Sequence, residues 1–309
     1  MPDYSCTVKD GLSEELQPGA PGLRLDRYVA EELKLLTRSQ LKTKLLSARL
    51  NGKPVKLSRP VKPGDLLELS WAEPPPLNLI PEDIPLTILY EDERVVVIDK
   101  AQGMVVHPGA GNRTGTMANA LLFRHYSLAG AGFRPGIVHR LDKDTSGVII
   151  AAYDDEALAF LADQFKERRV KKTYGAIVLG TPREKAGIIE TRIVRDSRDR
   201  KRFTVSPDRG KPALTRYRVI RSWGAYSLLL LQPRTGRTHQ LRVHLRHLGH
   251  PILGDPIYGA PVISTQDKRF LHATLMLHAR TLAITLPGQD TPSIFKAPLP
   301  ERFREFIRG

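Results

Sequence analysis

Cysteine is almost absent from this chain of 309 residues, since Cys6 is the only one. A single cysteine can form neither a disulfide framework nor a thiolate metal cage. Long apolar runs are also missing, and stretches such as Val148 to Ala152 fall far short of the roughly 20 residues that span a membrane. The first residues, MPDYSCTVKDGLSEEL, have neither the basic start nor the apolar centre of a secretory signal. We therefore expect a soluble cytoplasmic protein that does not bind membranes.

Signature sequences for nucleotide cofactors and metals are lacking as well. The chain contains neither G-x-x-x-x-G-K-[ST] nor G-x-G-x-x-G. Four histidines crowd together at 239, 244, 247 and 250, but spacings of five, three and three do not match the i, i+4 pair of a helical zinc site. We predict that the protein uses no metal and no cofactor.

Positive charge is what the chain has in excess. Its 48 Lys and Arg residues oppose 33 Asp and Glu residues, giving a formal net charge of +15 and a pI near 10.0. Such a surface attracts polyanions, and nucleic acid is the remaining candidate once a membrane is excluded. Between residues 192 and 221, eleven Lys or Arg oppose three Asp, which predicts contact with an RNA backbone rather than a merely solvated face.

A proline cluster predicts the domain organisation. Prolines at 74, 75, 76, 81 and 85 favour an extended linker over 73–85. We predict a flexible N-terminus over 1–21, a small domain over 22–72 and a large domain over 86–309. Many β-branched runs bounded by Gly and Pro predict an α+β fold for the large domain, with a mainly antiparallel sheet. Short turns between Ile177 and Leu231 favour a meander in that sheet.

The small domain combines a helical stripe with basic residues. Leu25, Val29, Leu33 and Leu36 recur at helical spacing, and a second, basic helix is predicted from Thr37, with Arg38, Lys42, Lys44 and Arg49 on it. The runs 54–57 and 66–71 are predicted to pair as strands. This order of elements resembles the S4 RNA-binding domain, which implies RNA contacts for Arg38 and Lys42. The alternative is a basic module that only keeps the chain soluble.

A charged loop between two apolar runs carries the first chemical motif. Residues 139–147 read HRLDKDTSG. By itself, this string is consistent with a structural turn in which Asp142 and Asp144 bind local backbone donors. The whole string resembles the catalytic loop of the RluA/RluD-type pseudouridine synthases. The resemblance implies that Asp142 is the catalytic carboxylate, and we expect His139 and Arg140 to contact RNA.

A second motif, RTGRTHQLRVH at 234–244, follows a predicted strand. Thr238 is predicted to cap a short helix that begins near His239 and ends before Gly249. The resemblance implies that Arg242 pairs with Asp142, and we expect Arg237 and His239 to support the site or bind phosphate. Without the resemblance, the simpler interpretation of Arg242 is a solvated charge on a helix. In a pocket that closes on a flipped base, burial raises the pKa of a carboxylate, whereas a nearby guanidinium lowers it and so favours the anion.

A third motif, RRVKKTYGAIVLG at 168–180, is a cationic run that enters a strand. The resemblance implies that Tyr174 lies against the target base, with stacking as its first role and proton transfer as its second. We expect Lys171 and Lys172 to contact RNA. From position alone, a core tyrosine would be the simpler interpretation.

These motifs together predict an isomerase. Conversion of uridine to pseudouridine breaks an N-glycosidic bond and rejoins the base through carbon, which needs no cofactor. VVHPGAGN at 105–112 resembles the RluD subgroup, which implies a hairpin loop of large-subunit (23S) ribosomal RNA as substrate. We expect a monomer. The resemblance does not decide whether Asp142 acts as a nucleophile or as a base. One alternative function is a non-catalytic rRNA-binding or ribosome-assembly protein. A nucleoside glycosidase is less favoured, because it needs a second catalytic carboxylate.

Overall fold

The chain divides into two compact units, Met1–Asn78 and Leu79–Gly309, so the division falls inside the predicted linker. The computed structural model describes residues 3–7, 23–33, 35–36, 38, 41, 45–72, 79–109, 111–125, 136–199, 201–259 and 268–308. Residues 73–78 of the linker, the proposed cap Thr37 and the basic residue Lys42 lie outside these ranges.

The first unit contains a four-stranded antiparallel sheet and a short helical segment. The strand order is β1-β4-β2-β3, with β1 at Asp3–Thr7, β2 at Leu45–Leu50, β3 at Lys53–Pro54 and β4 at Leu66–Trp71. The predicted apolar stripe is helical: α1 spans Leu25–Arg27 and continues as a π-helical turn over Tyr28–Glu32. Leu25, Val29 and Leu36 are buried in the core of this unit.

Three sequence predictions for this unit are wrong. Residues 3–7 of the predicted flexible N-terminus form β1, and Cys6 packs against the core. The basic helix predicted to carry Arg49 has given way to β2 by Leu45, because buried Ala48 and Leu50 alternate with exposed Arg49 at the period of a strand. As a result β4 pairs with β1 and β2, and not with the run 54–57.

Arg38 is engaged within this unit. Its guanidinium lies 3.0 Å from the carboxylate of Asp26, which also binds Arg24 at 3.0 Å. The Arg38 side chain is still about half exposed (53%), so one face of the guanidinium is open to a further ligand.

The second unit is built on a ten-stranded sheet, which confirms the predicted α+β class. Nine strands follow the order β10-β9-β11-β12-β8-β13-β7-β6-β5, and β14 pairs with β13. Among the described strands, β13 and β7 are the only parallel neighbours. The strands are β5 Thr87–Glu91, β6 Val95–Lys100, β7 Ser146–Ala152, β8 Lys171–Leu179, β9 Ala186–Arg195, β10 Phe203–Ser206, β11 Lys211–Ser222, β12 Tyr226–Pro233, β13 Leu277–Thr285 and β14 Pro292–Lys296.

Four helices and a single 3₁₀ turn are described in this unit. They are α2 Met117–Arg124, α3 Asp155–Lys166, α4 Gln240–His247, the 3₁₀ turn Lys268–Phe270 and α5 Glu301–Arg308. The N-terminus of α3 is capped by the side chain of Asp154, which accepts a hydrogen bond of 2.8 Å from the N–H of Ala157. None of the described helices is long and apolar enough to cross a membrane.

The meander is only partly correct. Adjacent strands do form the hairpins β9–β10 and β11–β12, but β8 pairs with β12 and β13 instead of β9. Short turns determine which strands form hairpins, whereas the partner on the far side of each hairpin depends on packing between remote segments.

Strand β7 places the charged loop at the centre of the sheet. All seven of its residues are buried between β6 and β13, which explains its continuous apolar sequence. Gly147 has a φ of +113°, and a Cβ there would lie 2.2 Å from the carbonyl oxygen of Ala279. Only glycine therefore allows β13 to approach directly behind loop 137–145.

Candidate active site

A cleft of about 520 Å³ opens in the second unit where four segments meet. Loop 137–145 forms one wall, and β8 contributes Lys172 and Tyr174 near its start. The C-terminal end of α3 and residues 233–242, which connect β12 to α4, complete the lining. All three sequence motifs thus contribute to one cavity.

The charges of this cleft are one-sided. Among the described residues that line it, Asp142 is the sole carboxylate and seven are Lys or Arg. These cations are Arg140, Lys166, Arg168, Lys172, Arg234, Arg237 and Arg242. Such a lining draws a polyanion towards a single acidic group.

Asp142 pairs with Arg242 as the sequence predicted. Its Oδ2 lies 3.5 Å from Nη1 of Arg242 and 3.9 Å from Nε2 of His239. The Asp142 side chain is 22% exposed, whereas that of Arg242 is 3% exposed. A ligand in the cleft can reach the carboxylate, while its guanidinium partner is enclosed by protein.

Arg242 is held in place by Asp255, which the sequence analysis did not assign to the site. Nε and Nη2 of Arg242 each donate to one carboxylate oxygen of Asp255 at 2.7 Å, which leaves Nη1 for Asp142. The N–H groups of Ile257 and Tyr258 also donate to Asp255 Oδ1 at 2.9 Å. A signal was present in the sequence, because Asp255 is the only acidic residue between Asp208 and Asp267.

The pair is ionised despite its burial. Burial disfavours charge on both partners, but their mutual hydrogen bonds outweigh it, so the pKa of Arg242 lies above its ordinary value. By the same balance, the pKa of Asp255 lies below its ordinary value. Arg242 therefore presents a fixed positive charge to Asp142.

His239 and Tyr258 form the wall beside this pair. His239, not the predicted Thr238, is the cap residue before α4, and its φ of +54° turns the chain into the helix. Its Nδ1 lies 2.8 Å from the hydroxyl of Tyr258, whose ring is 5.1 Å from the guanidinium of Arg242. Burial lowers the pKa of His239, against the opposing charge of Asp142.

Gln240 fixes the loop that carries Arg237. Its Oε1 accepts hydrogen bonds from the N–H of Arg237 at 3.0 Å and the hydroxyl of Thr235 at 2.7 Å. Its Nε2 donates to the carbonyl of Leu214 at 3.1 Å. Arg237 lines the cleft, and its own Nε donates to the carbonyl of Pro212 at 3.0 Å. At the other end, α4 stops before Gly249 as predicted, where φ is +84°.

Tyr174 lies in the wall formed by β8, between Leu231 of β12 and Ala279 of β13. Burial, assisted by the charge of Asp142, raises the pKa of its hydroxyl, so the phenol stays protonated at neutral pH. Its neighbour Lys172 also lines the cleft, and burial lowers the pKa of this ammonium. Lys171 is exposed and is not part of the lining.

His139 and Arg140 begin the loop that contains Asp142, and they differ in exposure. Burial lowers the pKa of His139 to about 3, and its Nε2 accepts the N–H of Ile150 at 3.1 Å while the ring stacks on Phe165. Any RNA contact by His139 is therefore made by a neutral ring. Arg140 is exposed and lines the cleft.

The crowded histidines serve different local roles. His244 bridges two threonines, Thr191 at 3.0 Å and Thr215 at 2.9 Å, and burial lowers its pKa to about 4. His250 binds the carbonyl of Leu179 through Nδ1 at 2.9 Å. In the described part of the chain, no three His, Cys, Asp or Glu residues are grouped to hold a metal ion.

Lys100 supports the Asp142 loop from below, and sequence reasoning missed it. The residue is fully buried at the end of β6, and its Nζ donates to the carbonyls of Ala101 and Met104 at 2.8 Å and of Lys143 at 3.0 Å. Burial lowers its pKa from 10.5 to about 8, although the nearby charges of Asp144 and Asp142 oppose the shift.

Lys100→Met should lower both stability and activity. The variant leaves three carbonyls without their donor, and one unmade buried hydrogen bond costs about 1–3 kcal/mol. Because the folded pKa is below the unfolded one, the unfolded chain binds more protons between pH 8 and 10.5. The free energy of unfolding of the unmodified protein, measured by urea denaturation relative to the variant, should therefore rise with pH in this window. A difference that stays constant or falls would contradict the assignment.

Known proteins resemble this chain in sequence and in fold. Residues 94–247 match the family model described as RNA pseudouridylate synthase. This range includes Asp142, Tyr174 and Arg242, but ends before Asp255.

Similar full-length proteins carry related names. "Ribosomal large subunit pseudouridine synthase D" of Borreliella burgdorferi is 45% identical, over 92% of this chain and 89% of its own length. The protein of the same name in Xylella fastidiosa is 42% identical, over 92% of this chain and 87% of its own. Among solved structures, human RNA pseudouridylate synthase domain containing 4 has a TM-score of 0.58 and 32% identity, covering 72% of this chain and 92% of that one.

Proposed function

Because this chain belongs to the RNA pseudouridine synthase family, we propose that it isomerises specific uridines of large-subunit ribosomal RNA, with Asp142 as the catalytic carboxylate. The observation that carries this proposal is a cleft with seven cations and one carboxylate, which lies 3.5 Å from an enclosed arginine. The names of the bacterial relatives, which match most of the chain, support the choice of RNA.

The proposed reaction balances without a co-reactant. The bond between N1 of uracil and C1′ of ribose breaks, the base rotates, and C5 bonds to C1′. The proton that leaves C5 is balanced by one gained at N1, so mass and redox state are unchanged. The uridine must first leave its stack, at a cost of a few kcal/mol that is smallest in a loop or bulge.

The residues of the cleft take separate proposed roles. Asp142 either attacks the ribose or the base, or removes the ribose proton at C2′ to give a glycal. Deuterium at C2′ gives a primary isotope effect only if Asp142 removes that proton. Arg242 orients the carboxylate, while the protonated phenol of Tyr174 stacks against the base and can donate a proton. In this proposal Arg140, Lys172, Arg237 and His239 hold the surrounding phosphates and sugars.

Further RNA contacts are proposed outside the cleft. Basic residues of 192–221 extend over β9, the turns on either side of β10, and β11, with Arg192, Arg216 and Arg218 exposed. In the first unit, residues 22–72 have eleven Lys or Arg against five Asp or Glu, consistent with an S4-like RNA-binding module in which Arg38 and Lys42 contact RNA. In the second unit, Lys171 is proposed as a further contact. The protein is proposed to act as a cytoplasmic monomer.

A direct assay tests the activity. Purified protein is incubated with a large-subunit ribosomal RNA transcript, and pseudouridines are mapped by chemical labelling that detects this mass-neutral change. One or a few loop uridines should be converted. If the protein bound this RNA but left every uridine unchanged, the non-catalytic alternative would replace the proposal.

The glycosidase alternative is disfavoured by the cleft. Glycoside hydrolysis uses two carboxylates that flank one bond. Asp142 is the only carboxylate among the described lining residues, and Asp255 behind it is occupied by Arg242. Release of free uracil, measured by chromatography, would revive this alternative.

RNA affinity should fall steeply with salt. If about five phosphates are neutralised, the dissociation constant should rise by about two orders of magnitude between 50 and 200 mM monovalent salt. Fluorescence anisotropy of a labelled RNA fragment measures this slope. A dissociation constant that changes less than about threefold would contradict a backbone-binding surface of this size.

A further inference from the structure

A second cavity of about 360 Å³ lies between the β9–β10 hairpin and α4. The hairpin contributes Arg202, Phe203 and Val205, and α4 contributes Val243 and Arg246. The lining is completed by Asp196, Thr204, His247 and Tyr258. Val243 lies within the motif 234–244, and Arg202, Phe203 and Val205 lie within the charge run 192–221, but no specific contact has been assigned to any of these four.

Two aromatic residues form the wall between this cavity and the cleft of Asp142. The hydroxyl of Tyr258 binds His239 Nδ1 at 2.8 Å on the cleft side and accepts the N–H of Phe203 at 2.8 Å. The ring of Phe203 in turn contacts that of His239 edge to face, with centroids 5.6 Å apart. A ligand in the second cavity therefore touches residues that also contact the cleft.

The cavity combines cations with apolar walls. Nη1 of Arg246 donates to the carbonyl of Tyr258 at 3.1 Å, which orients its guanidinium at the cavity. The Arg202 guanidinium lies 5.8 Å from the centre of the Tyr258 ring. The one carboxylate in the lining, Asp196, already accepts the N–H groups of Arg198 at 2.8 Å and Asp199 at 3.2 Å. Both bonds are accepted by Oδ1, so an anion in this cavity meets two guanidinium groups and one carboxylate.

The size indicates more than a phosphate. Volumes of roughly 300–1,000 Å³ are typical of sites for whole small molecules. Phe203, Val205 and Val243 supply an aromatic and two aliphatic surfaces of the kind that bind a nucleobase, while paired guanidinium groups suit a phosphate. Proteins that recognise RNA loops commonly hold several splayed bases at once.

We propose that this second cavity binds one nucleotide of the substrate RNA other than the target uridine. Its phosphate lies on Arg202 and Arg246, and its base packs against Phe203 and Val205. The inference rests on the proposed function, and it adds a second recognition point that selects the uridine by its neighbours.

Paired charge variants test the inference. R202Q/R246Q removes both guanidinium groups of the cavity, and R183Q/K185Q removes two exposed charges from the turn before β9, at the opposite end of that strand. Single-turnover kinetics with the RNA fragment that the unmodified protein converts should show a half-saturating concentration raised at least about tenfold by R202Q/R246Q. The maximal rate should stay within about threefold, and R183Q/K185Q should match the unmodified protein.

Substrates with a single abasic nucleotide identify the ligand. When the abasic nucleotide is the one that binds the second cavity, RNA binding to the unmodified protein and to R183Q/K185Q should weaken. The same abasic substrate should weaken RNA binding by R202Q/R246Q little further, because this variant has already lost the contact. Additive effects at every position, or unchanged kinetics of R202Q/R246Q, would overturn the inference. If the double variant melts at a lower temperature, R202Q and R246Q singly carry the same test. Failure of the proposed function looks different, since the unmodified protein would then convert no uridine at all and the inference would fall with it.

Discussion

Asp142→Asn should abolish pseudouridine formation while RNA binding persists. Asparagine has nearly the same shape, and Arg242 keeps its position through Asp255, so the cleft is preserved. The amide is a far poorer nucleophile and base than a carboxylate, and losing an essential group of this kind lowers kcat by about 10⁴-fold or more. Single-turnover assays measure the rate, and fluorescence anisotropy measures the affinity.

Asp144→Asn is the matched control. Asp144 lies two positions along the same loop and does not line the cleft. The change in charge and shape is identical, so a rate within about tenfold of the unmodified protein is expected if the effect is specific to Asp142. Substantial pseudouridine formation by Asp142→Asn would reassign the catalytic role to another group.

Asp255→Asn should have the second largest effect, although this residue does not line the cleft. Removing one partner of a buried ion pair leaves an uncompensated charge and costs about 3–5 kcal/mol of stability. Arg242 also loses the bidentate contact that directs Nη1 at Asp142. We therefore expect a lower free energy of unfolding in urea and a strongly reduced kcat, with little change in the KM for RNA.

A double variant separates the two effects of Asp255. R242M/D255L replaces the buried pair by apolar side chains, which often restores the stability lost when only one partner is removed. This variant should unfold at higher urea than D255N yet remain inactive, because no cation faces Asp142. Asp290→Asn, at an exposed turn, is the control and should change neither property. An R242M/D255L variant with normal kcat would show that Arg242 has no positioning role.

Local patterns predicted most of the elements of the second unit. The apolar run GVIIAA forms most of β7, because a strand that is buried on both faces is apolar at every position. The spaced apolar residues of DDEALAFLADQFK form α3, because a helix that is buried on one face is apolar only at every third or fourth position. The same reasoning failed at Leu45–Leu50, where a basic helix was expected and β2 was found. The alternation of buried and exposed residues in this segment favours a strand only when β4 is present as its partner, and β4 is remote in the sequence.

The three motif residues of the cleft were predictable, but their support was not. Asp142, Tyr174 and Arg242 were recognisable from the strings around them, and they do line one cavity. Lys100 and Asp255 act through hydrogen bonds to groups that are remote or unremarkable in sequence, such as the carbonyl of Lys143. Charged residues of these types are usually exposed, so the sequence did not show that they are buried, although the absence of other acidic residues between Asp208 and Asp267 set Asp255 apart.

By itself, the sequence determined the family: a basic, cysteine-poor chain whose three motifs carry Asp142, Tyr174 and Arg242 in the order of a pseudouridine synthase. Only the tertiary structure decided how Asp142 is held, which guanidinium nitrogen faces it, and that a second cavity shares its wall through Phe203 and Tyr258. The physical reason is that residue types limit which reactions are possible, whereas burial and hydrogen-bond geometry arise from contacts between segments far apart in the chain.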